Sequence, residues 1–251
     1  IAERTVVADE ANLRSAEEAV ASLPKGVLHQ YVVVEDWRRL AVLARQLRRD
    51  LDLWETQSPS EPRPRCVIFC QDEAAASQTA KKLRTALWGL HAVSALLPTL
   101  GGQPVESARS FTRGGDSSEE WARTAARDAA TVLVTSADAA RGLDFPNVTH
   151  VFCLGPTRQA SDYVHAAGRT GRVGQISRGF VTTLANDTAL HQSLLPLFAA
   201  HFPDTPLTPI AEPDVLTYQN LEDSMLLYDE EGAPTSPYGS SGDPKSPTTE
   251  R

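Results

Sequence analysis

The sequence predicts an α/β fold, a parallel β-sheet with helices on both faces, and three observations predict it. Short apolar runs rich in β-branched residues recur along the first 185 residues: "YVVV" (31–34), "CVIFC" (66–70), "TVLV" (131–134), "VTHVFCL" (148–154) and "GFVTTLA" (179–185). Stretches with helical spacing of apolar residues separate most of them. The strands lack the polar alternation of a sheet with one wet face, so both of their faces are expected to be covered.

Each element can be justified in turn. "DWRRLAVLARQLRRDL" follows the first strand and sets Leu40, Leu43, Leu47 and Leu51 on one helical stripe. The arginines at 45–49 read as a solvated face of that helix. "SPSEPRPR" is a Pro-rich loop before the strand at 66–70. "EAAASQTAKKLRTALWGL" is a second helix, and "HAVSAL" a third strand. A long Gly/Pro-punctuated connection covers 98–115, and Asp116 or Ser117 can cap a helix running to about Ala129. "QASDYVHAAG" is a short helix after the strand at 148–154, and "TALHQSLLPLFAAHF" closes the body with another.

Composition narrows the class. The chain has 251 residues, 41% of them hydrophobic, as in ordinary globular proteins. No apolar run approaches the roughly 20 residues of a membrane span, and no membrane role is expected. The first residue is Ile1 and no signal-like segment opens the chain, so a start within a longer polypeptide is expected. Cys66, Cys70 and Cys153 sit in apolar runs and read as buried thiols. The net charge is −8, which argues against a simple electrostatic binder of nucleic acid. Nine acidic and two basic residues lie from Leu207 onward, so the tail carries −7 and the body is nearly neutral. The tail also holds six of the 17 prolines. Such a segment cannot bury enough apolar surface to order itself, and a protein or ribonucleoprotein partner is expected for it.

Two segments can carry chemistry. "TSADAARGLDFP" (135–146) offers the Ser136 hydroxyl, Arg141 as a rigid donor and Asp144 as an acceptor for a ribose hydroxyl. "HAAGRTGR" (165–172) threads Arg169 and Arg172 through Gly168 and Gly171, presenting planar charge to a phosphate at close range. In parallel sheets, ligands sit at the carboxyl ends of the strands, and that is where both segments are expected. "DEAA" (72–75) follows an apolar strand, yet no Gly-x-x-x-x-Gly-Lys-Ser/Thr loop precedes it and the chain contains no Gly-Lys pair. Asp72 and Glu73 are therefore expected to cap a helix, and no metal site is expected. The other histidines, and Trp37, Trp54, Trp88 and Trp121, read as packing residues.

These segments together resemble the second RecA-like domain of DEAD-box RNA helicases. "TSADAARGLDFPNVTHV" is similar to motif V of that family, "YVHAAGRTGRVGQ" to motif VI, and "CVIFCQDEAAASQTAKKL" to the motif IV strand and helix. The resemblance covers about residues 23–200. It implies a RecA-like sheet for 23–206, a lead-in or interdomain linker at 1–22, and the acidic tail at 207–251. It implies that Arg169 and Arg172 are fingers reaching the γ-phosphate of ATP. It places Asp144 and Gly142 at the nucleotide, with His165 joining the two sites, and Ser136, Arg141 and Gly115 at the RNA. ATP, with its Mg²⁺, would be held by an N-terminal RecA-like domain absent from these residues, and RNA would be the substrate.

The sequence departs from the family at informative places. Ala166 stands where motif VI usually has arginine, and Ser136-Ala137 where motif V usually begins Thr-Asp. The Gln-x-x-Arg element should lie near 114–123, where Glu119 and Arg123 are found. A glutamate beside an RNA phosphate repels it. The arginines facing ATP are thus retained while the RNA-facing half is eroded. Two functions remain open: the second motor domain of an ATP-dependent RNA helicase that remodels RNA or ribonucleoprotein, as in ribosome assembly, or a reduced helicase-like scaffold in such a complex. The compartment is open between cytoplasm, nucleolus and an organelle such as the mitochondrion.

Overall fold

The computed structural model describes residues 23–24, 26–57, 63–88, 91–100, 111, 131–157, 159–171 and 179–211. The lead-in, the helix expected at 116–129, Gly115, Arg172 and the tail beyond 211 lie outside them. Among the described residues seven parallel strands form one sheet, in the order β3-β4-β2-β5-β6-β1-β7. In chain order these are β1 (Val27–Val33), α1 (Arg39–Gln57), β2 (Cys66–Cys70), α2 (Glu73–Ala86), β3 (Val93–Ala95), β4 (Val132–Ser136), β5 (His150–Leu154), α3 (Ala160–Ala167), β6 (Gly179–Ala185), α4 (Leu195–His201) and β7 (Leu207–Pro209). A helical turn, Asp187–Ala189, and a π-helical stretch, Leu190–Leu194, lead into α4.

The uniformly apolar strands serve two cores because side chains alternate across a sheet. Cys66, Ile68 and Cys70 of β2 pack with α1 and α2, alongside Val132 and Val134 of β4. Val67 and Phe69 point to the opposite core with Leu133, Tyr163 of α3 and Phe198 of α4. The three cysteines are free and buried, and burial pushes the Cys70 and Cys153 thiols up to about 12.

Four details differ from the sequence reading. The first strand begins at Val27, not Tyr31, because residues 27–33 pair in full with Gly179–Ala185. Leu207–Pro209 adds an edge strand on β1, held further by the Ile210 amide on the Tyr31 carbonyl at 2.9 Å. Arg45 and Arg48 are 6% and 4% exposed. Of that run only Arg49 faces solvent, and Arg48 donates to the Ala86 carbonyl at the end of α2. Trp88 is 85% exposed just after α2 and Trp37 is exposed in the turn after β1, so neither is a core residue.

Candidate functional site

Ser136 ends β4 and is buried. Its Oγ accepts from the Ala139 amide at 3.3 Å and its carbonyl from the Ala140 amide at 3.2 Å, so the serine shapes the turn after the strand. That turn reaches Gly142 at φ 72°, a left-handed backbone that glycine adopts without penalty. Arg141 is exposed, 3.3 Å from Asp138 and 3.8 Å from Asp162 in the first turn of α3. The chain then returns across the sheet face with Asp144 exposed and Phe145 fully buried.

Helix α3 is fixed by one aromatic residue. Tyr163 is fully buried, its hydroxyl 3.0 Å from His29 Nδ1 and its ring edge-on to Phe198 at 5.0 Å. Ala166 and Ala167 face the same core while His165 faces solvent. Past Gly168, Thr170 donates to the carbonyls of Val148 and Thr149 at 2.6 and 3.2 Å. Gly171 has φ 65°, and a Cβ there would lie 2.3 Å from Val27 Cγ2. Val27 and Gly179 are the first residues of β1 and β6, and Val148 and Thr149 lead into β5. The 168–171 turn therefore lies at the amino edge of the sheet, not at the carboxyl ends where the strand rule placed it. The helix carries the chain back across the sheet before the arginines begin.

Arg169 joins the two segments. Its Nη1 donates to the Leu143 carbonyl, the residue before Asp144, and its guanidinium lies 5.9 Å from the centre of the Phe145 ring. Its Nε is buried with no acceptor among the described residues, and burial lowers its pKa from the ordinary arginine value. The structure thus brings Arg169 against the Leu143 carbonyl, between Gly142 and Asp144, while Ser136 stands at the carboxyl end of β4 and Arg141 reaches toward Asp162 of α3.

At that carboxyl edge a cleft of about 540 Å³ opens between the ends of β2, β5 and β6. Asp36, Arg39, Asp72, Asp162 and Asn186 line it, with Ala166 on its wall. Arg39 donates to Asp36, which also accepts from Asn186 Nδ2 at 3.1 Å. Asp72 accepts from the Ala75 amide at 2.8 Å and caps α2, as its place in the sequence indicates. Glu73 accepts from the Thr99 amide at 2.9 Å.

Residues 50–174 match the model of the helicase conserved C-terminal domain. A 49-residue stretch is 51% identical to the mitochondrial ATP-dependent RNA helicase MSS116 of Lodderomyces elongisporus, over 20% of this chain and 7% of that protein. The chain belongs to the DEAD-box helicases. It carries their C-terminal RecA-like domain. The fold agrees with solved relatives. Mss116p bound to single-stranded RNA and AMP-PNP aligns at TM-score 0.56 and 18% identity, over 76% of this chain and 33% of that one. The Escherichia coli DEAD-box protein SrmB bound to the regulator RraA aligns at TM-score 0.53 and 23% identity, over 73% of this chain and 90% of that one. The chain spans well under two thirds of either Mss116 relative.

Some contributors to the candidate site were not singled out from the sequence. Phe145 and the Leu143 carbonyl, which hold Arg169, lie inside a segment read for its polar residues. The sequence does carry a signal for them, an aromatic directly after Asp144. Thr170 stands between the arginines, and only the fold shows its hydroxyl buried against the β5 lead-in.

Proposed function

We propose that this domain is the second motor half of an ATP-dependent RNA helicase that remodels RNA or ribonucleoprotein. The observation that carries the reading is Arg169: a half-buried guanidinium held by one N–H on the carbonyl of Leu143, the residue before the exposed Asp144. A guanidinium that is only half buried and spends one N–H on a carbonyl keeps further donors for an arriving acceptor. A phosphate oxygen and a ribose hydroxyl fit this donor and acceptor pair. ATP and its Mg²⁺ would be held by a first RecA-like domain, with Arg169, Arg172, Asp144, Gly142 and His165 facing it. ATP supplies the phosphoryl group whose transfer drives the cycle. Arg169 stabilises its charge only when the two domains close, which ties hydrolysis to closure.

RNA would meet the carboxyl edge, at Ser136, Arg141 and Gly115. Two aspartates near Arg141 and the carboxylates of the cleft weaken that grip. This same observation favours a second reading, a helicase-like scaffold within a ribonucleoprotein such as a ribosome precursor. The acidic tail is, on its composition, the segment for a protein or ribonucleoprotein partner. The mitochondrial relative makes the mitochondrion the compartment to examine first.

The test compares RNA-stimulated ATP hydrolysis by the intact protein and by this chain alone. Turnover by the intact protein and none by the chain supports the motor reading. An inactive intact protein that still assembles into its complex supports the scaffold. Hydrolysis by the isolated chain contradicts both.

A further inference from the structure

Arg169 is the end of a longer arrangement. Below it lies Phe145, fully buried, whose ring meets that of Phe111 edge-to-face at 5.7 Å and 82°. Phe111 belongs to the connection between β3 and β4 and is also fully buried. The Arg65 guanidinium lies over its ring at 4.4 Å and donates to its carbonyl through Nη2. The other Arg65 amino group donates to the Pro146 carbonyl, next to Phe145. Arg65 is itself 4% exposed, precedes β2 and has no carboxylate partner among the described residues. Burial lowers its pKa to about 10.

A buried cation without a counter-ion needs a reason to be there. Here it has two carbonyls and an aromatic face. The alternation of cation, ring, ring and cation also sets the height of Phe145, the floor on which Arg169 rests. We infer that Arg65, Phe111 and Phe145 are positioning residues for Arg169: the stack Arg65–Phe111–Phe145–Arg169 fixes its guanidinium and links the β3–β4 connection to it. The inference rests, for its consequence in catalysis, on the proposed role of Arg169.

The stack predicts an asymmetry. A change at Phe111 touches neither Arg169 nor any ATP-facing residue, yet it tilts Phe145 and shifts the guanidinium. Misplacing a catalytic group by about 1 Å can slow turnover up to about 100-fold. Substrate affinity, set by the other domain, stays the same.

The chain itself provides the direct readout. Arginine Nε–H resonances of the ¹⁵N-labelled 251-residue chain are recorded, with Arg169 assigned by Arg169→Lys. Phe111→Leu removes the ring face at similar volume, and Arg65→Met removes the charge and keeps the stem. Phe202→Leu, in the same core but outside the stack, is the control for general loosening. The expected result is a moved Arg169 signal with hydrogen exchange accelerated about tenfold or more in Phe111→Leu, and little change in Phe202→Leu. Should Arg65→Met fail to fold, Phe111→Leu and Phe145→Leu carry the comparison. An Arg169 signal that is unmoved by Phe111→Leu, or equally moved by Phe202→Leu, overturns the inference. In the intact protein, Phe111→Leu lowers kcat with KM for ATP held within about twofold. A moved resonance with unchanged kcat leaves the stack standing and removes the catalytic role of Arg169.

Discussion

Replacing Tyr163 by phenylalanine deletes one oxygen from the helix that leads into motif VI. The hydroxyl lies 3.0 Å from His29 Nδ1, and the two residues are 0% and 2% exposed. His29 Nε2 is already buried without a partner, and burial holds this imidazole neutral, with its pKa lowered to about 4. Water cannot replace the lost contact at a site this closed. The cost is that of a buried polar group left unmade, about 1–3 kcal/mol. The ring contacts with Phe198 and Phe202 survive, so no cavity term is added. For a body of this size about 2 kcal/mol corresponds to a fall in Tm of about 4–8 °C. Urea unfolding of the chain should show a lower midpoint at unchanged slope. The double variant with His29→Leu should cost less than the sum of the singles, since both delete one contact. A Tyr163→Phe midpoint equal to that of the wild type refutes the claim that this contact anchors α3.

Other outcomes follow from the same contacts. Gly171→Ala should destabilise by roughly 2–4 kcal/mol, the cost of a left-handed alanine plus a clash with Val27; full stability by denaturant titration contradicts the packing described. Burial raises the Asp50 carboxyl to about 7, with the His150 ring 3.7 Å away. A raised acid pKa gives stability that is complete below about pH 4 and lost as pH rises through 7. Asp50→Asn should therefore flatten the alkaline decline, seen as a smaller change in Tm between pH 6 and pH 8. His91 and His150 are lowered to about 4 by burial, so their stability is present above pH 6.5 and is lost as pH falls toward 4. An acid limb that is unchanged when His91 is replaced by glutamine contradicts that assignment.

The body of the fold was legible because its strands are short, apolar and separated by helices of the right period. The candidate site was proposed from the sequence for a different reason: two Gly/Arg-rich segments resemble motifs V and VI at the family's spacing. What escaped the sequence depends on direction. The rule that ligands gather at carboxyl ends places motif VI wrongly, because α3 runs back across the sheet and delivers Gly168–Gly171 beside the start of β1. The buried arginines escaped for a second reason. A pattern of charge on a helix says where solvent is expected, but α1 has a neighbour, and Arg48 uses the end of α2. Leu207–Pro209 escaped because three residues followed by an acidic, Pro-rich stretch carry no periodic signal.

Single-turnover cleavage of ATP by the intact, RNA-bound protein tests the central claim most directly, with Arg169→Ala and Arg169→Lys compared at saturating nucleotide. A finger arginine supports a rate factor of about 10³–10⁵ in comparable phosphoryl-transfer enzymes. The account predicts a loss of that order for Arg169→Ala, little recovery in Arg169→Lys because a lone ammonium does not reproduce the planar fork, and nearly unchanged nucleotide affinity. Cleavage at the wild-type rate in Arg169→Ala would contradict it.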